Sequence, residues 1–342
     1  MKGAAMTDAM RADGAAAKPL DRIMDLVRAD MAAVDGILTD QLNSSTDLIP
    51  RVAAHLIAAG GKRVRPLLTL ASARLCGYEG GDAVRLAASV EFIHTATLLH
   101  DDVVDGSATR RGRPAANSLW GNKPTILVGD FLFSRAFQLM VETGSLDVLR
   151  ILSAASAIIA EGEVMQLATA NNLSTTEADH LAVIRAKTAA LFAAATEVGG
   201  ALAGVSAEKV EALRVYGDCL GIAFQLADDA LDYAGSAGAT GKDAGDDFRE
   251  GKVTAPVLNA YMLARGDEER AFWRRVIEKT DQQDGDLDRA ISLMHRDRAV
   301  ERTLEDARRY GAQAKEALEV FPASALRDDL CGLVDYVVER DR

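Results

Sequence analysis

Residues 91–114 read EFIHTATLLHDDVVDGSATRRGRP. The stretch predicts the end of a long helix running from 82 to 104, broken by a Gly- and Arg-rich loop over 106–114. Near the helix end sit Asp101, Asp102 and Asp105 in the form DDxxD. Residues four apart share a helix face, so Asp101 and Asp105 project together. The same pattern returns as Asp228, Asp229 and Asp232 within FQLADDALDY, residues 224–233.

Stacked like charges weaken an isolated helix by about a few tenths of a kcal/mol per pair. A solvated acidic face would tolerate that cost, but the flanks here are apolar. Leu98, Leu99, Val103 and Val104 surround the first motif, and Phe224, Leu226, Ala227, Ala230 and Leu231 the second. Burying so much charge without partners is expensive. Hard divalent cations supply the partner, because Mg²⁺ prefers carboxylate, water and phosphate oxygens. Two opposed carboxylate faces bridged by such ions form a positive cradle for a diphosphate that neither face could hold alone.

Basic residues cluster nearby in sequence. GGKRVRP (60–66) places Lys62 and Arg65 at a loop-to-helix junction, and Arg110, Arg111 and Arg113 follow the first aspartate motif. Arg offers a planar fork to phosphate and Lys a point charge. The 60–66 loop lacks the GxxxxGK[ST] spacing of a Walker loop. His94 lies two turns before Asp101 on the same face. One phosphate site is thus metal-based and the other built on Lys and Arg. That asymmetry suits two diphosphate substrates of which only one must lose its diphosphate, since metal ions stabilise a departing group.

Composition sets the frame. The chain has 342 residues, a net charge of −12, 49% hydrophobic residues and 5% aromatics. Much of the apolar fraction is alanine, the best helix former, and strand patterns are scarce. An acidic chain lacks the basic surface nucleic acid requires. The three scattered cysteines argue against a disulfide framework and fit a reducing cytoplasm. No apolar run reaches about 18 residues, the length a membrane span needs. Residues 1–19 are expected to be a disordered tail, or the product of an upstream start codon with Met6 or Met10 as the true beginning. Further helices are expected over 20–42, 48–59, 65–75, 125–142, 147–168, 176–199, 207–233 and from 252 onward, with a Gly- and Asp-rich loop over 234–251. The reading is one all-α domain over 20–342.

These stretches, with KTAALF (187–192) and GKDAGDDFREGKVTAP (241–256), resemble the trans-isoprenyl diphosphate synthases, the polyprenyl synthetase family. VGDFLFSRAF (128–137) is similar to its long-chain octaprenyl/decaprenyl branch. The resemblance implies a single helical domain of the isoprenoid synthase type around a central cavity, assembled as a homodimer. It implies Mg²⁺ as cofactor, three ions to a site with Mn²⁺ able to substitute, held by the six motif aspartates. Lys62, Arg65 and His94, helped by Arg111, would hold isopentenyl diphosphate. Arg110, Lys187, Thr188, Gln225, Lys242 and Lys252 would contact an allylic diphosphate, a farnesyl or geranylgeranyl primer. The implied reaction is ionisation, condensation and elimination, with preorganised positive charge on the leaving group as the largest contribution.

Product length is expected to depend on Ala96 and Thr97, one turn before the first motif. Both are small; in the family a bulky aromatic there gives short products. Phe133, with Phe131 and Phe137, is expected to form a deeper floor. The resulting expectation is an octaprenyl to decaprenyl product for a quinone side chain, with a farnesyl or geranylgeranyl diphosphate synthase as the alternative. A terpene cyclase would not need the Lys62/Arg65/His94 site, and a regulatory subunit would typically lose one aspartate motif. Release of a long apolar product suggests transient membrane contact.

Overall fold

The computed structural model describes residues 18–58, 60–234 and 245–339. Of the tail expected at 1–19, only Lys18 and Pro19 fall among them, and Pro19 already opens a helix. Among the described residues extended structure is confined to the pair Thr109–Arg110 and Arg113–Pro114. The all-α expectation therefore holds, and no described helix is long and apolar enough to cross a membrane.

Local chemistry explains where helices start. Ser145 accepts a hydrogen bond from the Val148 amide and opens Leu146–Thr169. Thr176 and Asp179 form a capping box at the start of Glu177–Ile184. The first-motif helix, Asp82–Val104, occupies the expected span. Three elements differ from expectation. The 20–42 helix is two, Pro19–Leu26 and Arg28–Asp40, divided at Val27. The 176–199 helix contains a π turn, Arg185–Ala189, before continuing as Ala190–Ala203. The 106–114 loop folds into a miniature hairpin whose turn residues, Arg111 and Gly112, both have positive φ. That conformation matches the twist of paired strands.

The most apolar stretch of the chain becomes the central helix Ala190–Ala203, in which Leu191, Phe192, Ala194, Ala195 and Val198 are buried. It packs on Val64–Leu75, on Asp82–Val104 and on the second-motif helix Ala207–Ala234. Both aspartate helices are thus braced by one small-residue rod. Ala207–Ala234 also packs extensively on Ala299–Ala317. The charged region after 266 builds a second core around Phe272, Trp273, Val276, Ile277 and Met294.

The two central helices touch at Gly217. A Cβ there would press on the Phe192 carbonyl oxygen and lie 2.7 Å from Ala193 Cα, backbone that cannot move aside. Gly217→Ala is expected to destabilise the fold by about 1–3 kcal/mol through overpacking. The drop should appear as a lower thermal midpoint in circular dichroism, without loss of helix signal at low temperature.

Candidate active site

The first aspartate motif ends its helix. Asp105 is the capping residue, its amide donating to the Asp101 carbonyl at 2.8 Å. Asp101 and Asp102 are buried while Asp105 is exposed, so the apolar flanks enclose two of the three carboxylates. Asp102 accepts from Arg110 Nε at 2.6 Å through Oδ1, and its buried Oδ2 has no hydrogen-bond partner. Asn117 Nδ2 donates to the Asp102 carbonyl at 2.8 Å and ties the segment after the hairpin to the motif.

Burial pushes the Asp101 carboxyl up to about 7, against the pull of Lys187 and with further upward pressure from Glu163 and Asp105. Lys187 Nζ stands 4.0 Å from Asp101 Oδ2 and 3.0 Å from Glu163 Oε2. Lys187 and Thr188 lie in the π turn, a widened turn of the kind that recurs at functional sites.

The second motif joins through the same turn. Thr188 Oγ1 donates to Gln225 Oε1 at 2.9 Å, and Gln225 Nε2 donates to Asp229 Oδ1 at 2.8 Å. Asp229 is buried, with His180 Nε2 3.5 Å from its Oδ2. Asp232 Oδ2 accepts from the Asp247 amide at 3.1 Å. Asp228 is exposed. A cavity of about 210 Å³ is lined by Lys187, Thr188, Gln225, Asp229, Asp247 and Lys252 among others. Burial pulls the Lys252 ammonium down, but Asp247, Glu250 and Asp105 of the opposite motif outweigh it and raise it. Burial, partly offset by Lys252, likewise pushes the Asp247 carboxyl up to about 7.

The basic group is separate. Arg65 stacks on Phe192, its guanidinium carbon 4.5 Å from the ring centroid, and Nη1 lies 3.3 Å from His94 Nε2. Burial, despite Glu91, lowers the Arg65 guanidinium to about 10. It also drives the His94 imidazole well below its ordinary value, reinforced by Arg65, Arg111, Arg110 and Arg63. His94 is therefore neutral at pH 7. With Arg65 donating to Nε2, its proton resides on Nδ1. A small pocket of about 10 Å³ lies here between Arg63, Glu91, His94 and Arg111. Arg63 and Arg111 both hold left-handed backbone, a strained state that clusters at binding sites.

A carboxylate-rich group and a basic group thus lie along one helix, in a chain whose described residues are mostly helical. The family profile for polyprenyl synthetase matches residues 46–294. The chain belongs to the polyprenyl synthetase family. It is 44% identical over 323 residues to octaprenyl diphosphate synthase of Escherichia coli (strain K12), covering 94% of this chain and 99% of that one. The crystal structure of a decaprenyl diphosphate synthase from Rhodobacter capsulatus superposes with a TM-score of 0.91 at 57% identity, covering 95% of this chain and 100% of that one. A polyprenyl synthase from Caulobacter crescentus CB15, solved with calcium and isoprenyl diphosphate, gives a TM-score of 0.91 at 52% identity, covering 96% of this chain and 99% of that one. The isoprenoid synthase fold expected from the sequence is the fold of these polyprenyl synthases.

Within this family frame, the structure gathers Arg65, His94 and Arg111 at one site, and Lys187, Thr188, Gln225 and Lys252 with the aspartates at the other. Lys62 stands apart, exposed, its Nζ 5.6 Å from the Tyr336 ring of the C-terminal helix Ala325–Val338. Lys242 lies outside the described residues. Ala96 is fully buried, Thr97 is half-buried with its hydroxyl donating to the His94 carbonyl at 2.8 Å, and Phe133 is stacked on His100. Phe137, expected in the pocket floor, is instead 38% exposed on Asn122–Glu142. Sequence reading missed four residues: Glu163 beside Lys187, Asp247 beside Lys252, His180 beside Asp229, and Glu91, which pairs with Arg63 at 2.5 Å. Glu91 and Asp247 lie inside quoted motifs and were legible as acids in apolar or metal-facing company. Glu163 and His180 carried no such signal.

The raised Asp101 carboxyl has a consequence for stability. Its folded value exceeds the ordinary 3.8, so the folded state holds the proton longer than the unfolded chain does. The penalty for ionising it grows as pH rises from about 4 to about 7 and is complete above that. Asp101→Asn should therefore be more stable than the parent at pH 8 without divalent cations. The difference should shrink as pH falls through this window in matched thermal melts.

Proposed function

We propose that the chain is a long-chain trans-polyprenyl diphosphate synthase that adds isopentenyl diphosphate units to an allylic diphosphate and releases an octaprenyl to decaprenyl product. The observation that carries the reading is the spacing of the two anion sites. His94, paired with Arg65, precedes Asp101 by seven residues on one continuous helix, about 10 Å along its axis. That separation lets two diphosphates bind at once with their hydrocarbon parts between them.

The carboxylate set fits Mg²⁺. Asp102 Oδ2 is buried without a donor, and Asp101 is difficult to ionise without a counter-charge. Asp101, Asp102 and Asp105 from one side and Asp228, Asp229 and Asp232 from the other would hold the ions, with Mn²⁺ satisfied by similar oxygen ligands. Among the described residues no group of three or more His, Cys, Asp or Glu forms a site by itself. Mg²⁺ commonly keeps waters and substrate phosphate oxygens in its shell, so the aspartates need not supply every ligand. When bound, Mg²⁺ would supply positive charge to the departing diphosphate.

The chain's own groups would do the rest. Lys187, Lys252 and the Thr188 hydroxyl would orient the allylic diphosphate, and Arg110 would brace Asp102. Arg65 and neutral His94, through Nδ1–H, would anchor isopentenyl diphosphate, a partner that keeps its diphosphate. Apolar walls from Phe192 and the Ala96 face would keep water from the allylic cation. The small Ala96 supports a long product, as do the octaprenyl and decaprenyl synthases to which the chain is similar.

Exposed apolar residues on adjoining helices, Leu127 and Val141 on Asn122–Glu142 with Leu146, Val164 and Leu167 on Leu146–Thr169, support a homodimer. Light scattering after gel filtration should give twice the 36.4 kDa chain mass; a monomer at working concentration would remove this part of the reading. A long apolar product also supports transient membrane contact by a cytoplasmic enzyme.

The deciding experiment incubates purified protein with Mg²⁺, farnesyl diphosphate and labelled isopentenyl diphosphate, then sizes the dephosphorylated products by mass spectrometry. A ladder ending at octaprenyl to decaprenyl is expected. Ala96→Phe should end it earlier while leaving the first condensation intact. Termination of the parent at geranylgeranyl would refute the chain-length reading, and no incorporation at all would refute the synthase.

A further inference from the structure

Glu163 lies on Leu146–Thr169, a helix to which the sequence assigned no site residue. Its Oε2 is 3.0 Å from Lys187 Nζ, while Asp101 Oδ2 is 4.0 Å from the same nitrogen. Two carboxylates compete for one ammonium, and the shorter separation gives Glu163 the stronger hold. The spacing is set by backbone. A Cβ on Gly162 would come 2.9 Å from the Lys187 amide nitrogen, so the two helices meet beside the pair. Glu163 Oε1 is buried without a hydrogen-bond partner, an unusual state for an ion pair that serves packing alone.

Without Glu163, the nearest anion for Lys187 would be Asp101. An ammonium seated there would occupy a carboxylate that the cation site needs. We propose that Glu163 is a positioning residue that holds Lys187 back from Asp101, leaving Asp101 open to a divalent cation and the ammonium directed at the allylic diphosphate. This rests on the reading of Asp101 and Lys187 given above.

The test is a Mg²⁺ titration by calorimetry with an unreactive allylic thiolodiphosphate. It compares the parent chain, Glu163→Gln, Lys187→Met and the double variant, each checked by thermal melting. Glu163→Gln should raise the half-saturating Mg²⁺ concentration about tenfold, the scale of one charge-assisted contact. It should leave the KM for isopentenyl diphosphate unchanged. In the Lys187→Met background the same substitution should have no effect. An unchanged Mg²⁺ requirement in Glu163→Gln, or an equal increase in both backgrounds, would overturn the proposal. If Glu163→Gln does not fold, Glu163→Asp, which retracts the charge by one methylene, should give an intermediate requirement, and a parental value would overturn it. Failure of the synthase reading would show separately, as a parent chain that neither binds the Mg²⁺–analogue pair nor incorporates isopentenyl diphosphate.

Discussion

Everything in this molecule is arranged around carboxylates placed where carboxylates are costly. Asp101, Asp102 and Asp229 are buried among apolar helices, and the protein compensates them only in part. Arg110 covers one oxygen of Asp102, Lys187 is shared between Asp101 and Glu163, and Asp229 has Gln225 on one oxygen with only the longer contacts of His180 and the Ala255 amide, both 3.5 Å, on the other. Full neutralisation would have left nothing for a cation to do. Withholding it leaves a site with a strong demand for positive charge, and the small-residue rod Ala190–Ala203 supplies the rigidity that keeps this unfavourable arrangement from relaxing.

The basic site shows the opposite economy. Arg65 is desolvated, stacked on an aromatic ring and placed beside a histidine that stays neutral. A charged imidazole would repel the four neighbouring arginines, whereas a neutral one adds a donor without adding charge. Glu91 offsets Arg63 so that the cluster can exist before any anion arrives. One site thus carries carboxylates in excess and the other cations in excess, along a single helix.

Much of this was legible in the sequence, because the decisive groups lie in contiguous motifs whose local pattern carries their chemistry. The DDxxD pairs and the KT pair at 187–188 come together in one group, and Arg65 of the 60–66 loop enters the other beside His94. What was not legible depends on contacts between distant segments. Glu163 finds Lys187, and His180 finds Asp229, only after helices pack. Lys62 reads as a ligand by position, yet its flexible stem leads it to Tyr336. The break at Val27 and the left-handed backbone of Arg111 use residues that carry no breaker or turn signal of their own, and Phe137 faces outward because a helical period inferred from sequence does not say which neighbour will cover it.

The π turn at Arg185–Ala189 gives its helix a counting function. One extra residue in the turn shifts the phase of everything that follows. Before it, Ile184 joins the cluster with Leu226 and Ala255; after it, Leu191 and Phe192 join the main core. The two apolar stripes are out of step, and Lys187 and Thr188 occupy the interval where the step is made. Most surface loops absorb an inserted or deleted residue without consequence. Here a single deletion would close the widened turn into a regular one, leaving both stripes against their neighbours but moving the two polar side chains, so the length of this segment is as much a functional specification as the identity of any residue in it.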